Sequence, residues 1–317
     1  MKSQATQREF LLNLASITLE QIESGAFAES LEQTESLETP DARAVPFEGI
    51  ANSLSAALDW ARLESQVSDL ASALESVAAE SADVPYLPSN QVLALLQSAH
   101  DEFLELQELE RPFDNTDPGW ISVAFEKLKA LFRGKRKFIS HTNFDSFVET
   151  LPSGAVVALF SDWGTGEETA ERVLKQIKAA NPTHAIHLGD VYYSGTPKEI
   201  EKRFLDVIDR HGPSHQSCRY FALNSNHEMY SGGYGYFDET LPRFGQQASY
   251  FNLRNEHWQL IGLDSGYEDH GLQNPQKDWL KAQLQQQGPK SILLTHHQLF
   301  SPYEGRAKDR KLAKKVS

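Results

Sequence analysis

Four short apolar runs in the second half of the chain each stop at residues able to bind a cation. Ala155-Val-Val-Ala-Leu-Phe160 stops at Ser161-Asp162-Trp163-Gly164, and Thr183-His-Ala-Ile-His-Leu188 stops at Gly189-Asp190. Arg219-Tyr-Phe-Ala-Leu223 stops at Asn224-Ser225-Asn226-His227-Glu228, and Ser291-Ile-Leu-Leu-Thr295 stops at His296-His297. Short apolar runs bounded by turn residues predict interior strands. On open α/β sheets, ligands gather at the carboxyl ends of strands. Two aspartates, an Asn-His pair and a histidine delivered there amount to a metal site assembled from loops. Spacing does not choose between His296 and His297, since either could face a cation.

Carboxylate and amide oxygens together with imidazole suit borderline ions such as Mn, Fe and Zn. A carboxylate bridges two cations by giving each one oxygen. Two cations about 3.5–4 Å apart clamp a phosphoryl group and lower the pKa of a shared water toward ~7. The hydroxide so formed needs no side-chain base, and a nearby imidazole can protonate the leaving alkoxide. The competing structural role of Asp162 and Asp190 is capping or turn formation; that of Asn226 and His227 is an Asx-turn beside a surface histidine. The convergence of four strand ends favours the metal. His184 and His187, inside a strand, read as interior or surface histidines instead.

The elements that must position these residues alternate. A helix is expected over about 168–180, a second from Thr196-Pro197 to about Asp209, with Pro197 in its first turn, and a third over about 276–287. Ser249–Leu253 and His257–Leu263 read as a hairpin around Arg254-Asn-Glu256. Such alternation followed by a hairpin predicts α/β layering with a mixed sheet. Residues 1 to about 110 read as helical and acidic. Phe10, Leu11, Leu14, Ile17 and Ile22 recur at helical spacing, as do Leu54, Leu58, Leu63, Val67 and Leu70. Trp120, Ala124, Leu128 and Leu131 share one face of a basic helix within 120–138, suited to docking on protein or to peripheral contact with an anionic membrane.

A chain of 317 residues has room for two domains. Its net charge of −14 argues against binding nucleic-acid backbones. One cysteine, Cys218, leaves no disulfide framework and fits a reducing compartment. No run approaches the ~18 apolar residues of a membrane span, and the N-terminus makes a poor secretory signal. The expected location is cytoplasmic.

Asp162-Trp163-Gly164, Gly189-Asp-Val-Tyr-Tyr193, Asn226-His227-Glu228 and Leu293-Leu-Thr-His296, in that order, resemble the successive motifs of the calcineurin-like metallophosphoesterases. The pattern is closest to the purple-acid-phosphatase variant. The resemblance implies a β-sandwich of two mixed sheets flanked by helices, behind an α-helical N-terminal region. It implies Asp162 on a first metal, Asp190 bridging both, and Tyr193 on the first metal. Asn226 and His296 would hold the second metal. His227 would face the substrate as phosphate ligand or general acid, with Glu228 orienting it. Two divalent or mixed-valence ions (Mn, Fe or Zn) are implied as cofactors, and a phosphate ester as substrate.

Two departures stand out. Ser225 occupies the place of a glycine, and the terminal Gly-His-x-His motif is missing, since no histidine follows His297. The expected organisation is therefore an acidic helical accessory region over 1–140 and a C-terminally truncated phosphoesterase domain over 150–317. Its expected function is hydrolysis of a phosphate mono- or diester through a metal-bridged hydroxide. The alternative is a non-catalytic interaction or regulatory protein on a degenerate phosphoesterase scaffold.

Overall fold

Apolar residues recurring every three to four positions build the first of two units, Met1–Gly134. The computed structural model describes residues 4–24, 47–74, 90–107, 127–164, 168–268 and 271–298. Helix α1 (Gln4–Glu23) buries Leu11, Leu14, Ala15 and Ile22. Helix α2 (Phe47–Leu74) buries Ile50, Leu54, Ala57, Leu58 and Ala61. Helix α3 (Gln91–Gln107) starts at Asn90, whose Oδ1 accepts from the amides of Val92 (2.9 Å) and Leu93 (3.3 Å), satisfying donors at the helix start. These faces form one cluster with Leu128, so this residue of the basic stretch packs into protein. The expected stripe at Leu63, Val67 and Leu70, and residues 120–126, fall on side chains or segments outside the described residues. No described helix is long and apolar enough to cross a membrane.

The second unit, Lys135–Ser317, holds seven described strands: β1 (Val148–Thr150), β2 (Val157–Phe160), β3 (His184–His187), β4 (Arg219–Ala222), β5 (Phe251–Arg254), β6 (Trp258–Leu263) and β7 (Lys290–Thr295). Between them run α4 (Glu168–Ala179), α5 (197–211, with a π-helical middle at Ile200–Leu205), α6 (Asn226–Tyr230), α7 (236–244) and α8 (Asn274–Leu284). One sheet, in the order β1-β5-β6-β7, is mixed: the β5–β6 hairpin is antiparallel and the other pairs are parallel. The other, β2-β3-β4, is parallel throughout its described strands. The resemblance implied two mixed sheets. Here α4 and α5 cross over between successive strands of the second sheet, and crossovers of that kind join parallel neighbours.

Strand periodicity splits the second sheet between two cores. Ile186, Phe221 and Leu223 pack against Phe251, Leu253, Leu260 and Leu294 of the first sheet. Ala185, Tyr220 and Ala222 point the other way, onto Leu174 of α4, Phe204 and Ile208 of α5 and Phe244 of α7. All four residues of β3 are buried, its two histidines included. Register then does the positioning. Phe160 pairs with His187 and His187 with Ala222, so the loops carrying Asp162, Asp190 and Asn226 leave one sheet edge side by side.

Candidate metal centre

The chain turns sharply where β2 and β3 end. Asp162 and Asp190 both take left-handed backbone, with φ of 54° and 67°. Aspartate tolerates that region better than most residues, and such geometry gathers at functional sites. Two amides lock the turns together: that of Asp162 donates to the Gly189 carbonyl and that of Trp163 to the Asp190 carbonyl, each at 3.1 Å. Gly189 (φ 102°) has to be glycine, because a Cβ there would stand 2.8 Å from Ser225 Cβ and 3.1 Å from His296 Nδ1. The pair sits at a boundary: Asp162 is exposed, whereas Asp190 is buried.

Hydroxyls surround the two carboxylates. Ser161 Oγ donates to Asp162 Oδ2 at 2.5 Å, and Ser225 Oγ contacts Asp190 Oδ1. The Tyr192 hydroxyl lies 3.2 Å from Asp162 Oδ1 and 3.4 Å from Asp190 Oδ2. Around Tyr193, the expected ligand, three contacts are fixed. Arg203 stands over its ring at 5.6 Å, its amide donates to Glu199 Oε1 at 2.9 Å, and its carbonyl faces His227. The phenol of Tyr192, which the motif pattern passed over, reaches both aspartates.

Two imidazoles aim at Asp190. His296 Nδ1 is 3.1 Å from the Leu188 carbonyl oxygen, and His227 Nδ1 is 2.5 Å from that of Tyr193. A carbonyl only accepts, so each Nδ1 carries the proton and each ring presents Nε2 to the site. Those Nε2 atoms lie 3.2 Å (His296, to Oδ1) and 3.9 Å (His227, to Oδ2) from the Asp190 carboxylate. His297 engages Ser265 instead, its Nδ1 2.9 Å from the hydroxyl. Asn226 donates through its amide nitrogen to the Tyr230 hydroxyl at 2.9 Å. Burial alone would raise the Asp190 pKa, but His227, His296 and the Ser225 hydroxyl outweigh it and hold the carboxyl below the usual aspartate range.

Three buried carboxyls brace the loops. Glu228 accepts from the amides of Val191 (3.0 Å) and Asp190 (3.3 Å) and meets Ser225 Oγ. It therefore orients the Asp190 turn, rather than His227 as expected. Burial, with the Asp190 charge second, pushes its pKa above the usual range. Glu199 gathers the amides of Tyr193, Ser194 and Thr196. Thr196-Pro-Lys-Glu199 is a capping box, so this clamp was readable in the sequence. Asp264 accepts from Asn224 Nδ2 at 3.1 Å and from the amides of Gly266 and Tyr267, tying the Asn226 loop to the end of β6. Asp264-Ser-Gly266 repeats the strand-then-acid grammar of the other sites, and that signal could have found it.

Donor types and fixed tautomers fit a borderline divalent cation at Asp190, because imidazoles whose far nitrogen is pinned by a carbonyl are arranged as metal ligands are. Their number falls short. Among the described residues, no group of three His, Cys, Asp or Glu side chains converges to hold an ion. The expected pair of metal positions is not assembled by those side chains.

Residues 155–316 match a family model described as calcineurin-like phosphoesterase. No curated protein and no solved structure matches the chain significantly.

Proposed function

The chain belongs to the calcineurin-like phosphoesterase family, and from that premise we propose that its second unit hydrolyses a phosphate mono- or diester with bound divalent cations. Asp162, Asp190, Asn226 and His296 would hold the ions, taken from Mn, Fe and Zn. When bound, such ions polarise the phosphoryl oxygens and lower the pKa of a water toward ~7. The observation that carries the reading is the pair of imidazoles, each tied through Nδ1 to a main-chain carbonyl and each facing Asp190 with Nε2.

The protein groups divide the remaining work. Asp190, held ionised by its neighbours, supplies negative charge at the buried end of the site. Asp162 stands at the open end, where substrate arrives. His227 keeps its Nδ1 proton on the Tyr193 carbonyl, so it would act as the doubly protonated imidazolium, handing the proton on Nε2 to the leaving oxygen and returning to the neutral Nδ1–H form. The test is turnover of an aryl phosphate monoester and diester by the Mn-loaded chain. His227→Asn should lower kcat by about 10²-fold or more, the range expected for a general acid. Equal kcat in that variant would remove His227 from the reaction.

A second reading has its own support: no trio of metal-capable side chains converges among the described residues. On that reading the chain is a non-catalytic interaction or regulatory protein, docking through the basic 120–138 segment on protein or on an anionic membrane. It predicts no stoichiometric cation and no turnover.

A further inference from the structure

Helix α8 and strand β5 tie down the segment 138–147 that leads into β1. Trp279 Nε1 of α8 donates to the Ser146 carbonyl at 3.0 Å, and Gln283 Nε2 donates to that of Phe144 at 2.6 Å. The Asn252 amide of β5 donates to the Phe147 carbonyl at 2.9 Å. The segment is also strained. Phe147 takes left-handed backbone with φ of 63°, which a bulky residue keeps only where its surroundings hold it.

Tyr250, just ahead of β5, sits where these ties meet. It is fully buried, with its ring against Phe138, Phe147 and Trp279. Its hydroxyl oxygen lies 2.8 Å from the main-chain nitrogen of His141 and 2.9 Å from Nδ1 of the same residue. An amide only donates, so the hydroxyl accepts there and gives its one proton to Nδ1. Neutral His141 therefore carries its ring proton on Nε2, and a second proton would add at Nδ1. That addition removes the acceptor of the phenol proton and leaves a buried O–H unpaired, which is costly. Two titratable groups bear on the imidazole. The Tyr250 phenol stays protonated, because burial pushes its pKa up to about 12, and the Asp278 carboxylate of α8 favours the charged ring. Burial outweighs Asp278 and holds the His141 pKa below the ordinary histidine value.

We infer that His141 and Tyr250 form a pH-sensitive latch: the neutral imidazole fastens the 138–147 segment to the core, and its protonation releases that segment. The sign follows from the lowered pKa. The folded chain binds this proton less readily than the unfolded chain does, so the fastening is complete above the ordinary value of ~6.5 and is lost as pH falls below it. The strained turn at Phe147 favours release once the hydroxyl contact is gone. No cation enters this device, and it holds whether or not the chain hydrolyses an ester.

The test is peptide-resolved amide hydrogen exchange of the full chain at about pH 7.5 and about pH 4.5, on either side of the ordinary histidine value, for wild type and His141→Asn. Rates are corrected for intrinsic exchange and read against β3, which reports unfolding of the whole unit. Asparagine keeps an acceptor oxygen near the place of Nδ1 and does not titrate. On acidification, wild-type protection over 138–147 should fall about five- to tenfold relative to β3, the factor of one hydrogen bond. In His141→Asn it should change by less than about twofold. No relative fall in wild type overturns the inference, and so does an equal fall in His141→Asn. Should His141→Asn not fold, nitrogen NMR of the wild-type imidazole decides. An Nε2–H tautomer at neutral pH, giving way to imidazolium as the amide signals of 138–147 shift, supports the latch. An Nδ1–H tautomer, or protonation of His141 that leaves those amides unmoved, overturns it.

Discussion

His296 sets its Nε2 3.2 Å from Asp190 Oδ1 while its Nδ1 is pinned to the Leu188 carbonyl, two residues before that aspartate. The end of β3 thus supplies both the acid and the group that fixes the base facing it. If this contact marks a cation position, His296→Ala should weaken Mn²⁺ binding by at least about tenfold. Titration calorimetry reads the change. An unaltered affinity would show that His296 serves only the fold.

The left-handed backbone at Asp162 gives a stability prediction separate from chemistry. Asp162→Gly and Asp162→Ala both lose the side-chain hydrogen bonds, but alanine must keep φ near 54° with a Cβ. Glycine should therefore be the more stable variant by about 1 kcal/mol, read from denaturant midpoints. Equal midpoints would mean that the turn relaxes.

His187 is a fully buried base. Neither ring nitrogen has a hydrogen bond among the described residues, and the ring sits among Phe160, Trp163 and Phe204. Burial, the largest effect, pushes its pKa down to about 3. Between that value and the ordinary ~6.5, the unfolded chain binds a proton that the folded chain refuses. Stability should therefore fall as pH drops through this window, by up to about 1.4 kcal/mol per unit from this residue. His187→Leu should raise stability at neutral pH by about 1–3 kcal/mol and flatten the acid slope, as melting across pH 4–7 would show.

Glu228 is held toward its neutral form by burial and by the Asp190 charge. Glu228→Gln, which keeps shape and an acceptor for the Val191 amide, should leave the fold and cation affinity close to wild type. Glu228→Ala strips the partner from that amide and should destabilise by about 1–3 kcal/mol. If Gln proved as damaging as Ala, the carboxylate form would be the one the site uses.

Much of this site was legible because strand ends are written plainly. Apolar runs ending in Asp162, Asp190 and Asn226-His227 predicted three strands that prove to be parallel neighbours in register, whose loops leave on one side, while His296 follows β7 of the other sheet. Contacts that depend on side-chain reach were not legible. Nothing in Tyr192-Tyr193 says which phenol turns toward the aspartates, and nothing in His296-His297 says which ring takes Ser265. The brief strand β1 is three residues long and partly exposed, with no apolar alternation to announce it. The π-helical middle of α5 likewise has no period that separates it from an ordinary helix.

On the proposed function, Asp190 anchors a catalytic cation. Metal content per chain, measured by elemental mass spectrometry after loading with Mn, Fe or Zn, tests it most directly when paired with aryl phosphate hydrolysis by the same samples. Wild type should bind cation and turn over ester, with both lost in Asp190→Asn. Turnover that survives in Asp190→Asn, or a wild type that neither binds cation nor hydrolyses either ester, would contradict it.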